Sequence, residues 1–302
     1  MHPITHIVAA TDFSAAAERA AQRAALIAKQ LNAELHLMHV VHPLDLYIGT
    51  ELSFGSQRQF GHMQEEVSKG QLNILADKLR KDFNITVHIA TRIGSAHTEI
   101  ASFATSKMGC LIVAGARGEN ENSMLNLLLG STSTRLLRAA SCPVLIVKNK
   151  KVMPYQQVIA AVDFSSGSCD VPTIARTIAP EAFIETLHVF DLTQEASMRK
   201  AGLEDDELHQ YRNDALIEVD RKLDKILADQ SDNRTTSQVA TGYPASEICA
   251  RATNLPADLI VIGRHGMSGL QEWLLGSVSK DVTQAAACDV MVVTFPNCFS
   301  NK

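Results

Sequence analysis

Val158-Ile159-Ala160-Ala161-Val162-Asp163-Phe164-Ser165 is a second writing of Ile7-Val8-Ala9-Ala10-Thr11-Asp12-Phe13-Ser14. Each reads as a buried strand ending in an aspartate, with a helix to follow. The matches continue outward in the same order. His39-Val40 pairs with His188-Val189, and Gly94 with Glu99-Ile100 pairs with Gly242 and Glu247-Ile248. Leu111 to Gly115 pairs with Leu259 to Gly263, Gly130-Ser131 with Gly276-Ser277, and Cys142 with Cys288. The separation drifts only from 151 at the first match (Ile7, Val158) to 146 at the last (Cys142, Cys288). The chain is therefore one unit written twice. The polar stretch from Asn149 to Pro154 divides it, which predicts domains over 1–150 and 151–302.

Each unit alternates strand with helix. The first predicts strands near 5–11, 34–41, 85–91, 110–115 and 143–147, and helices near 14–31, 58–82, 96–107 and 131–140. The second predicts strands near 157–162, 183–190, 236–241, 258–263 and 290–294, with a long helix near 203–229. The strands are continuous apolar runs, which implies burial on both faces. Strand-helix alternation then implies an α/β fold of two repeated doubly wound domains, each a parallel sheet with helices on both faces. Ala17, Ala20, Ala21, Ala24, Ala25 and Ala28 form a small-residue stripe that lets the first helix lie close to its sheet.

The composition narrows the function classes. At 302 residues, 46% hydrophobic and 20% charged, the chain can build two cores. A net charge of -5 without a basic block gives no electrostatic footprint for nucleic acid. The start of the chain predicts no signal peptide, and no apolar stretch approaches a membrane span. The six cysteines, Cys110, Cys142, Cys169, Cys249, Cys288 and Cys298, contain no CxxC pair and read as reduced thiols of a cytoplasmic protein, with Cys298 exposed in a polar tail. The eleven histidines form neither HExxH nor a Cys/His set, so no metal site is expected.

Chemistry enters with Gly263-Arg264-His265-Gly266, nine residues, and Gly276-Ser277-Val278-Ser279. A strand, a glycine loop and a helix start shape a backbone that can hold phosphate. Glycine allows positive φ and close approach of a ligand. The bland alternative is two turns and a helix entry. Asp163 reads equally as a turn or N-cap residue and as a ligand contact. Arg264 reads as a solvated loop residue, and His39 and His188 as packed, hydrogen-bonded strand residues. No Walker-type Gly-Lys-Ser/Thr and no convincing general base supports efficient ATPase activity.

The Gly-x2-Gly-x9-Gly-Ser pattern, the aspartate ending the first strand, the Leu-His-Val of the second and Cys142-Pro143-Val144-Leu145-Ile146-Val147 together resemble the universal stress protein family. The resemblance covers nearly the whole chain and marks a tandem member. It implies five-stranded parallel sheets of order 3-2-1-4-5, with strands 1 and 4 opening a crevice at their C-terminal ends. It implies an ATP-binding site, with Mg2+ as a candidate companion. Ala161, Val162, Asp163 and Val189 would border adenine and ribose, and Ile262 ends the strand beneath them. Gly263, His265, Gly266, Gly276, Ser277, Val278 and Ser279 would hold ribose and phosphates.

The weaker counterpart in the first half comprises Ala10, Thr11, Asp12, Val40, Gly115, Gly118, Gly130, Ser131, Thr132 and Ser133. Its interval is two residues longer, and Glu119 and Glu121 fall beside the expected phosphate path, where carboxylates repel a triphosphate. The apolar fifth strands, Val144 to Val147 and Val290 to Val293, need covered edges. The resemblance implies that they pair within the chain as an intramolecular pseudo-dimer, with further homo-oligomers open. The leading function is a nucleotide-dependent stress-response regulator with at most slow hydrolysis. The alternatives are a nucleotide-independent interaction scaffold, using the segments near 44–60 and 191–207, and a nucleotide-processing enzyme with Asp163 and His265 as its acid/base pair.

Overall fold

The computed structural model describes residues 3–42, 54–116, 129–165, 167–191, 198–199, 202, 204–228, 233–266 and 275–295, with backbone alone for 54–62. Gly118, Glu119, Glu121 and Cys298 lie outside them, as does much of 44–60 and 191–207. The chain divides into two compact units, Met1–Pro154 and Tyr155–Lys302.

The first unit runs β1 (His6–Ala10), α1 (Ala15–Leu31), β2 (Glu34–Val41), α2 (Phe54–Phe83), β3 (Val87–Ile93), α3 (Ala96–Thr105), β4 (Cys110–Gly115), α4 (Ser131–Ala139) and β5 (Val144–Val147). Its strands are all parallel, in the order β3-β2-β1-β4-β5. Ile7, Val8 and Ala9 are all fully buried, so both faces of β1 are covered and no alternation shows in the sequence. Helix α1 begins at Ser14, whose hydroxyl accepts from Ala17 N–H at 3.2 Å, and ends at Asn32 in the left-handed conformation. All six alanines of its stripe are buried. Helix α1 packs with α2, and α3 with α4. Under α3, His36 is buried against Phe103. Burial first, then Lys107, His88 and His6, push its pKa down to about 4 against the pull of Glu34.

The second unit repeats the plan as β6 (Gln157–Val162), α5 (Val171–Ile178), β7 (Phe183–Asp191), α6 (Asp205–Ala228), β8 (Thr235–Gly242), α7 (Pro244–Asn254), β9 (Leu259–Gly263), α8 (Ser277–Ala285) and β10 (Asp289–Val293). The parallel order is β8-β7-β6-β9-β10. Pro172 sits in the first turn of α5, where a missing N–H costs least. Glu185 of β7 is buried and takes a bidentate ion pair from Arg251 of α7, at 2.7 and 2.5 Å. The five described cysteines are free thiols, and no described helix is long and apolar enough to cross a membrane.

Candidate functional site

In both sheets the chain leaves the first strand through one motif. Asp12 Oδ1 accepts from Ser14 N–H at 3.1 Å, and Asp163 Oδ1 accepts from Ser165 N–H at 3.0 Å and from the Ser165 hydroxyl at 2.5 Å. The intervening Phe13 and Phe164 adopt φ of 65° and 59°, a left-handed backbone that costs a non-glycine residue about 1–3 kcal/mol. Their rings lie 4.6 Å from His39 and 4.5 Å from His188. Each histidine turns Nδ1 to a backbone carbonyl, Thr11 O at 2.8 Å and Val162 O at 2.9 Å. A carbonyl only accepts, so Nδ1 carries a proton in each ring. These histidines are the hydrogen-bonded strand residues the sequence suggests. They are half-buried, and burial lowers the His188 pKa, with Lys222 adding to the effect.

In the second unit β6 and β9 are neighbours, and a cavity of about 560 Å3 opens beyond their C-terminal ends. Ala161, Val162 and Asp163 reach it from β6, Val189 from β7, and Ile262 and Gly263 from β9. His265 and Gly266 line it from the loop, and Gly276, Ser277, Val278 and Ser279 from the start of α8. All twelve second-half candidates thus share one cavity, of a volume ordinary for a small-molecule site.

The loop works differently from the expectation in two respects. Neither Gly263 nor Gly266 has positive φ; the left-handed residue is Phe164. Close approach is what requires glycine at Gly266 and Gly276, whereas a Cβ on Gly263 would meet only ordinary contacts of 3.5 Å and beyond. A Cβ on Gly266 would stand 2.7 Å from Asp163 Oδ2, and one on Gly276 would stand 2.9 Å from the Arg264 carbonyl. The second difference is Arg264, which is buried at 6% exposure and is no solvated loop residue. Its N–H donates to Val293 O at 2.8 Å, and its carbonyl accepts from Gly276 N–H at 3.0 Å. The Ser279 hydroxyl is 3.0 Å from the same carbonyl and 2.9 Å from Gly276 O. Ser279 is itself buried, so its single hydroxyl proton is used in holding the loop to the helix. Ser277 is exposed at the helix start. His265 Nε2 is buried and has no hydrogen-bond partner among the described residues.

Sequence reasoning passed over Lys222 and Tyr211. Both line the cavity from α6, whose apolar positions read only as core. Lys222 stands 5.2 Å from the centre of the Phe164 ring and 3.7 Å from Glu218. Its one visible signal is its place next to Leu223, on the border of the apolar stripe.

The first unit keeps part of this arrangement. Gly130 N–H donates to Ala116 O at 2.8 Å, and the buried Ser133 hydroxyl donates to Gly115 O at 2.8 Å. Thr11 is buried, and its hydroxyl accepts from Phe13 N–H at 3.0 Å. Ala10, Asp12 and Val40 lie at the C-terminal ends of β1 and β2, and Ser131 and Thr132 are exposed at the start of α4.

Fold and site together define a tandem protein of two doubly wound α/β units. The chain belongs to the universal stress protein family, which matches it over residues 3–148 and 154–294. It is 29% identical over 309 residues to a universal stress protein of Mycolicibacterium smegmatis, covering 95% of this chain and 96% of that one. A universal stress protein of Methanocaldococcus jannaschii is 32% identical over 145 residues, covering 48% of this chain and 82% of its own. The crystal structure of a universal stress protein from Archaeoglobus fulgidus superposes with a TM-score of 0.69 at 18% identity, over 97% of this chain and 99% of that one. At that identity it speaks for the fold alone.

Proposed function

We propose that the second unit binds an adenine nucleotide, ATP first, with Mg2+ as companion, and that the protein is a nucleotide-dependent stress-response regulator acting in the cytoplasm. The observation that carries this is the single cavity shared by the Asp163 strand end, the Gly266 turn and the N-terminus of α8. The first N–H groups of a helix lack intrahelical partners and carry the positive end of its dipole, which suits phosphate oxygens. Gly276 as N-cap offers no side chain to occupy them. The Gly266 cradle, which a side chain would fill, and the partnerless His265 Nε2 add room and a polar contact. The apolar strand ends Val162, Val189 and Ile262 suit the base, and Lys222 brings a positive charge.

We assign slow hydrolysis at most, because the sequence carries no Walker-type Gly-Lys-Ser/Thr and no convincing general base. In the first unit we assign at most a weaker site, since its loop interval carries Glu119 and Glu121. Differential scanning fluorimetry of the whole chain with ATP, ADP and no nucleotide tests the reading. A saturable rise in melting temperature supports it, and no shift with any adenine nucleotide overturns it.

A further inference from the structure

At the opposite end of the first sheet, away from the strand C-termini, four side chains meet on the face covered by α3. Register pairs His6 with Glu34 and His36 with His88, and Glu34 and His36 are two apart on β2. All four therefore point to the same face. His6 Nδ1 and His36 Nε2 stand 3.4 Å apart, and Glu34 Oε2 lies 3.6 Å from the first and 3.7 Å from the second. A tetrahedral ion with ligands at about 2.0–2.1 Å spaces them about 3.3–3.4 Å apart. The triangle is within a few tenths of an ångström of that size. His88 Nε2 lies 3.5 Å from the same Glu34 oxygen.

The second unit supplies an internal control. The same register positions hold Gln157, Phe183, Glu185 and Thr236, and there Glu185 is neutralised by Arg251, the counterpart of Phe103. The fold thus closes this place without any histidine. The three imidazoles belong to the first unit alone, and the second unit has Phe183 at the position of Glu34.

We propose that His6, Glu34 and His36 form a binding site for a divalent transition-metal ion of the Zn2+ class, with the fourth position open to water. Two imidazoles and a carboxylate are a borderline-soft N2O donor set that suits Zn2+, Co2+ or Ni2+ better than Mg2+ or Ca2+. His88 orients Glu34 from outside the coordination sphere. The exposed Glu34 leaves an entry path, and binding ties β1 to β2. Lys107, near His36, opposes the cation and tempers its affinity. The absence of a metal site expected from the sequence rests on spacing along the chain, which parallel register does not respect.

The test uses the tag-free full chain, stripped with a chelator and titrated calorimetrically with Zn2+. One saturable equivalent is expected in the wild type and in the control His209→Gln. Glu34→Gln and His36→Gln should lose it, and His88→Gln should weaken it about tenfold or more. Co2+ should give the intense visible bands of a tetrahedral site in the wild type and not in Glu34→Gln. Glu34 is exposed, so that variant keeps its fold, checked by circular dichroism. No saturable Zn2+ binding, or binding unchanged in Glu34→Gln, overturns the proposal.

Discussion

Gly266 faces Asp163 so closely that a Cβ on it would stand 2.7 Å from the carboxylate oxygen Oδ2. The loop after β9 and the end of β6 therefore share one space, and a side chain at 266 enters it. Gly266→Val should lower ATP affinity by about tenfold or more, which corresponds to about 1.4 kcal/mol. The ligand-free melting temperature should fall only modestly, because the atom the new side chain meets is the far end of the Asp163 side chain, which must turn aside while its other oxygen keeps Ser165. Calorimetric titration beside a ligand-free melt checks both halves of this expectation.

The two serines at the start of α8 should separate. Ser279 is buried with its hydroxyl on the Arg264 and Gly276 carbonyls, so Ser279→Ala should cost about 1 kcal/mol of stability. Ser277 is exposed, and Ser277→Ala should leave stability within about 0.5 kcal/mol while weakening ATP. Denaturant melts and nucleotide titrations of the two variants distinguish a loop anchor from a ligand contact.

His188 should make the second unit acid-sensitive. Its pKa is lowered from the ordinary 6.5, first by burial and then by Lys222, with the Val162 carbonyl and Asp163 pulling the other way. The unfolded chain then binds the proton more readily than the native one. Stability is full above pH of about 6.5 and falls as pH drops from there toward the native pKa. An NMR titration of the His188 ring should give a value below 6.5, and His188→Gln should flatten the acid limb of stability in that window.

The Glu185–Arg251 pair should show the asymmetry of a half-buried ion pair. Glu185 is 8% and Arg251 35% exposed at the side chain. Arg251→Ala strands a buried carboxylate and should cost about 2 kcal/mol, less than a fully buried pair because water reaches the arginine side. The double variant Glu185→Leu/Arg251→Leu should recover most of that loss in a thermal melt.

Much of the fold is legible along the chain because strands buried on both faces are unbroken apolar runs. Val158 to Val162 could be no amphipathic helix, and its twin at Ile7 made the repeat plain. In the second unit the glycines at 266 and 276 are marks visible along the chain, and the structure shows that each stands where a side chain would meet a neighbour and that both line one cavity. What stays hidden depends on register or on how a helix face turns. Lys222 reads as an ordinary charged residue beside Leu223 until α6 lies over the cavity. The left-handed strain of Phe164 has no local sequence mark, and glycine would have been the expected bearer. His6, Glu34, His36 and His88 come together only through the pairing of β1, β2 and β3.

The central claim concerns the ligand of the second unit. The full chain, purified without added nucleotide, should be denatured and any released small molecule identified by mass spectrometry, with Gly266→Val processed alongside. The account predicts adenine nucleotide near one equivalent from the wild type, or uptake to that level after incubation with ATP, and its loss from the variant. Wild-type protein that releases none and takes up none, or a variant that holds as much as the wild type, would contradict it.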